Sequence, residues 1–113
     1  MPPHITFEVL TKGFMDLCAD RYFTSTKVLD IANRIVAGGP PSPDKEYQKF
    51  FSVYLKIVIL SRYRDAVREV ALQQIFETPQ RRDELYMAII EALEDLEDEY
   101  EEIEAQYEPK DDD

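Results

Sequence analysis

The chain has 113 residues, 44% of them apolar, and only three glycines. That is enough for one domain with its own core, and it excludes wholesale disorder and a strand-and-turn sandwich or barrel. A net charge of −11 opposes nucleic acid or an anionic membrane as a partner, and a single cysteine, Cys18, excludes an intramolecular disulfide and favours a reducing compartment.

The charge is unevenly spread. Residues 91–113 hold 13 of the 24 acids and one base, a net of −12, which leaves +1 for residues 1–90. A basic protein surface suits such an acidic end better than a nucleic acid does. Met1-Pro2-Pro3-His4 shows no basic region leading into an apolar run, so no signal peptide is expected. The longest apolar stretch, Ile57-Val58-Ile59-Leu60, falls far short of the roughly 20 residues that span a bilayer. No membrane insertion and a cytoplasmic location are expected.

The first predicted helix covers about residues 6–20, capped by Thr6, with Phe7, Leu10, Phe14, Leu17 and Cys18 on one stripe. Thr24-Ser25-Thr26 caps the second, about 26–37, whose stripe is Val28, Leu29, Ala32, Ile35 and Val36. Gly38-Gly39-Pro40-Pro41 ends it, the glycine taking a left-handed cap. Ser42-Pro43-Asp44 starts the third helix, with Tyr47, Phe50, Phe51, Tyr54 and Val58 on one face and Val53, Leu55, Ile57, Ile59 and Leu60 around much of the rest. A helix apolar nearly all round is central, and no second strand exists to pair with Val53–Leu60. Residues 61–74 are helical again. A continuous helix from Pro43 to Phe76 would be about 50 Å long, so a bend near Ser61-Arg62 is expected.

Thr78-Pro79 starts the last helix. Leu85, Ile89, Leu93, Leu96, Tyr100, Ile103 and Tyr107 recur on it at a spacing that settles into a seven-residue repeat, the mark of a seam facing another helix. Leu85–Leu96 reads as core face. Tyr100, Ile103 and Tyr107 extend beyond what such a domain covers and are candidate partner-binding residues. Like charges spaced at i,i+4 and carboxylates near the C-terminal dipole predict fraying from about Asp98, with more helix by circular dichroism near pH 4. Residues 1–108 form one domain in this reading, and residues 109–113 are a disordered acidic tail.

Equipment for catalysis is sparse. His4 is the one histidine and stands in a proline-flanked terminus; Cys18 falls on an apolar stripe and reads as a structural thiol. Gly13, Gly38 and Gly39 cannot make a phosphate loop, and Cys/His clusters for zinc and Glu-x-x-His pairs for a di-iron site are absent. No catalytic, cofactor or metal residues are assigned. Lys56, Arg62, Arg64, Arg68, Arg81 and Arg82 form a basic cluster, interrupted by Asp65 and Glu69. Ion pairing with a partner or within the chain is one reading of it, and nucleic-acid binding is another.

Two segments carry a family resemblance. One is Arg21-Tyr22 followed by Ile31-Ala32-Asn33; the other is Ile75-Phe76-Glu77 through Gln80-Arg81, then Leu85 and Ile90-Glu91-Ala92-Leu93 running into acids. Both resemble the TyeA family of type III secretion gatekeepers and the equivalent C-terminal domain of its fused relatives. Tyr22 stands where the family has tryptophan, and the stretch from Val36 to Gln74 is longer by more than a helical turn. The resemblance implies a non-enzymatic protein that binds the C-terminal helices of a YopN-like partner and holds the export apparatus closed to effectors until host contact or a calcium drop. It also implies docking through the first helix, around Leu10 and Phe14.

The combined expectation is an all-α bundle of four to five helices with a long acidic C-terminal helix, acting as an interaction module at the periphery of a secretion apparatus. Phe7, Leu10, Phe14, Tyr100, Ile103 and Tyr107 are its candidate partner residues, with a larger helical partner and a homo-oligomer both admitted. The alternatives are a small acidic assembly or secretion chaperone, and a nucleic-acid binder or DNA mimic.

Overall fold

A computed structural model describes residues 5–38, 48–69, 76 and 78–107. These form four helices, α1 (Phe7–Cys18), α2 (Ser25–Ala37), α3 (Gln48–Arg68) and α4 (Pro79–Tyr107), with no strand among the described residues. The starts of Ser42–Lys45, the region of Val70–Ile75, His4 and the tail beyond Tyr107 lie outside them.

Three threonines set the helix starts. Thr6 accepts from the Val9 amide at 3.2 Å, Thr24 from Lys27 at 3.2 Å and Thr78 from Arg81 at 3.2 Å, each satisfying an amide that has no partner within the helix. At the end of α2, Gly38 has φ −83° and ψ −6°, right-handed rather than left-handed, and its amide bonds to the Arg34 carbonyl; Gly39 lies outside the described residues. The helix simply runs into the glycine, with no reversal of hand there.

No break falls at the bend expected near Ser61: α3 is one unbroken helix from Gln48 to Arg68. It ends at Arg68, about 32 Å from its start, and this short span removes the length argument for a bend. Its buried residues are Val53, Ile59, Leu60, Tyr63 and Val67. The face named from sequence is the wetter one, for Tyr54 is 49% exposed. Where a helix is apolar nearly all round, composition does not say which side is innermost.

Phe50 at the start of α3 packs on Tyr100 near the end of α4, and Arg68 at the end of α3 lies over Tyr86 near the start of α4. The two helices are therefore antiparallel. Leu85, Ala88, Ile89, Ala92, Leu93 and Leu96 are buried along the seam. Full burial of each large aliphatic side chain contributes roughly 1.5–3 kcal/mol. α2 packs against both α3 and α4, and α1 packs against α2. No helix among the described residues is long and apolar enough to cross a membrane.

Candidate functional site

α1 is the least enclosed helix, and its surface follows from how it is pinned. Gly13 faces inward with no side chain, so Tyr63 of α3 and Ile35 of α2 come close; a Cβ there would stand 2.6 Å from the Tyr63 hydroxyl and 2.8 Å from Ile35 Cδ1. The Tyr63 hydroxyl donates to the Leu10 carbonyl at 2.6 Å, and its ring packs on Phe14 with centroids 5.3 Å apart. Burial pushes the Tyr63 hydroxyl up to about 12, with the Asp16 carboxylate adding to it, so it stays a donor at neutral pH.

This geometry divides the predicted α1 residues. Phe7 is 82% exposed, Leu10 is half-buried and Phe14 is only 7% exposed. Phe14 is thus a core residue rather than part of an open stripe, because Gly13 draws α3 onto that side of α1. Val9 and Met15 are also exposed, and a shallow groove between α1 and α2 is lined by Val9, Lys12, Gly13, Asp16, Ile31 and Arg34.

At the other end of the molecule, Ile103 is 3% exposed and Tyr100 is half-buried against Phe50, ring centroids 4.7 Å apart. The expectation that this ridge outruns the body is corrected at Ile103. The first turns of α3 lie alongside the last turns of α4, as the Phe50–Tyr100 contact shows. The Tyr107 side chain lies outside the described residues.

Sequence reasoning missed a second surface. Tyr22 is 63% exposed and Met87 is 54% exposed. Together with Phe23 and Ala88 they line a groove between the α1–α2 connection and α4, edged by Asp83, Glu84 and Glu91. Arg81 ties the α1–α2 connection to the start of α4. The guanidinium donates to the Asp20 carbonyl at 2.7 Å and the Arg21 carbonyl at 3.4 Å, and it lies 4.5 Å from the Phe23 ring centroid. Lys27 donates to Asp20 at 2.6 Å, and that bond holds the Asp20 carboxyl below its ordinary value. Met87 is out of register with the seam, and this was the one available signal.

The basic residues engage several different partners, and Arg68 and Arg82 line one pocket with Asp83 and Tyr86. Lys56 donates to Asn33 at 2.9 Å, Arg64 contacts Asp65, Arg82 contacts Asp83, Arg68 lies over Tyr86, and Arg81 turns to the α1–α2 connection. Cys18 is buried, and burial outweighs the nearby Arg81 charge to push its thiol up to about 11. It is therefore a protonated core thiol at neutral pH, a poor nucleophile.

Arg81 also brings two distant segments of sequence together. It joins the Gln80-Arg81 turn to Arg21-Tyr22, residues some 60 positions apart, at one spot. The family described as "T3SS, Low calcium response E, third helical domain" matches residues 1–94, which takes in α1, α2, α3 and the first half of α4. No curated protein and no solved structure matches the chain. With most of its length matched, the chain belongs to the family of the third helical domain of the type III secretion protein low calcium response E.

Proposed function

We propose that this domain is a non-catalytic interaction module of the TyeA kind, which docks helices of a YopN-like gatekeeper and so restrains effector export. The observation that carries the reading is Phe7. A phenylalanine 82% exposed at the start of a rigidly pinned helix, beside exposed Val9 and half-buried Leu10, is an apolar surface in want of a cover. Membership in a type III secretion family supplies the context. A helix laid across α1 would bury Phe7 and Leu10 while Phe14, beneath them, keeps α1 in place. The α4 end contributes less to docking than its pattern implies, since Ile103 is already covered.

Phe7→Asp tests this. Titrated calorimetrically against a YopN-like gatekeeper encoded beside this chain, the variant should bind at least about tenfold more weakly, as expected for an interface anchor, with an unchanged melting temperature. Undiminished affinity in the folded variant would remove α1 as the docking face. Phe14→Asp should instead unfold the domain, since it places a charge in the core.

A further inference from the structure

The groove at Tyr22 and Met87 sits beyond the C-terminal end of α1, away from Phe7, and does not depend on the α1 reading. Its floor is apolar: Tyr22, Phe23, Met87 and Ala88. Its edge is acidic, and the acids continue. Glu84, Met87, Glu91, Glu94 and Asp98 are all exposed and follow one another at three- and four-residue steps along α4, with exposed Asp95 beside them. From Glu84 to Asp98 this stripe is about 21 Å long.

Among the described residues, no ion pair offsets the charge of the stripe. α4 carries no Lys or Arg after Arg82. The bases closest to the groove are engaged elsewhere, Lys27 on Asp20 and Arg81 on the Asp20 and Arg21 carbonyls. Among the described residues Glu84 takes a hydrogen bond from the neutral Gln80 amide, and Glu91 and Glu94 are in no ion pair. A second copy of this chain would bring a like-charged stripe against it, and an anionic membrane would be repelled.

We propose that the Tyr22–Met87 groove and the acidic stripe leading from it form a docking site for a basic amphipathic helix of another protein. Apolar side chains of that helix enter the groove, and its Lys and Arg residues run along the stripe. Methionine suits the floor, because a flexible thioether adapts to differing apolar shapes. The opposed charges set orientation and speed association, and the apolar groove supplies most of the affinity. With Phe7 at one end and this groove at the other, the domain has surfaces for two helices at once.

The test uses the full chain and a fluorescein-labelled peptide of about 18 residues, long enough to cover the stripe as a helix. The peptide carries Leu at i, i+3, i+4 and i+7 and Lys elsewhere. Two controls replace Leu by Ser at the same charge, or Lys by Glu. At about 0.15 M salt, where exposed charges are screened beyond roughly 8 Å, the Leu/Lys peptide should bind about tenfold tighter than either control. Tyr22→Ser and Met87→Ser, both surface changes, should each weaken it by about fivefold, the size expected for truncating an interface anchor. Their melting temperatures should stay unchanged, and amide shifts should gather at residues 22–24 and 84–91. The proposal is overturned if the Ser control binds equally well, if shifts are confined to residues 94–107, or if both variants bind as the parent does. A dimer that Met87→Ser dissolves would also overturn it, in favour of a second copy as occupant.

Discussion

A methyl group added at Gly13 would press on two neighbours that respond differently. Ile35 Cδ1 is the end of a flexible chain and can swing away. Tyr63 cannot, being 4% exposed, hydrogen-bonded to the Leu10 carbonyl and packed on Phe14. Gly13→Ala gains about 1 kcal/mol of helix propensity and loses about 1–3 kcal/mol to overpacking, so urea denaturation should show a net loss. In a Tyr63→Phe background the obstructing oxygen is gone and the same change should cost less; equal cost in both backgrounds would refute the steric account. Tyr63 and Cys18 also predict a limit at alkaline pH. Burial raises the thiol from 9.0 to about 11 and the phenol from 10.0 to about 12, so above pH 9 the unfolded chain sheds protons that the folded chain keeps. Their contribution to stability is complete below about pH 9 and is lost as pH climbs through the folded values. The urea midpoint should therefore fall between pH 8 and pH 11, and fall less steeply in Cys18→Ala.

At the scale of elements, the antiparallel pair α3–α4 decides how far the acidic helix persists. Twenty-nine residues run helically to Tyr107 despite a dense run of carboxylates. Packing offsets the repulsion: Phe50 packs on Tyr100 with the rings tilted, and Ile103 is buried. Phe50→Ala should cost roughly 1–3 kcal/mol, less than a fully buried phenylalanine, since the ring is half-buried. Amide exchange should then quicken at residues 100–107 more than at 85–96, and uniform quickening would mean that Phe50 supports the whole core instead. The seven-residue spacing of Leu85 to Leu96 was legible because a repeat survives whatever it packs against. The unbroken course of α3 was not, because its apolar residues run nearly all round it up to Leu60 and none of them marks where the helix ends.

Across the whole molecule, Arg81 fastens the connection between α1 and α2 to the start of α4. Arg81→Met keeps the length of the side chain and removes its two donors. It should lower stability by about 1.5–3 kcal/mol, the range for hydrogen bonds made by a charged group. It should also expose the amides of residues 20–24 to exchange. Arg81→Lys should restore little, since an ammonium cannot fork onto two carbonyls and stack on Phe23 together. Full recovery by lysine would show that charge alone, rather than the planar fork, holds the connection.

Helix starts, the all-helical class and the core stripe of α4 were written locally, in threonine caps and in the period of apolar residues. These depend on neighbours a turn apart, and so a linear reading reaches them. Three things required the chain to fold on itself. Phe14 went inside while Phe7 stayed out, because Gly13 admits Tyr63 from 50 positions away. Ile103 was covered, because the antiparallel pairing sets the start of α3 against the end of α4. Tyr22 and Met87 met in one groove, because Arg81 bridges segments that no local pattern connects. Burial is set by which element arrives opposite a residue, and that is a property of the assembled helices rather than of any one of them.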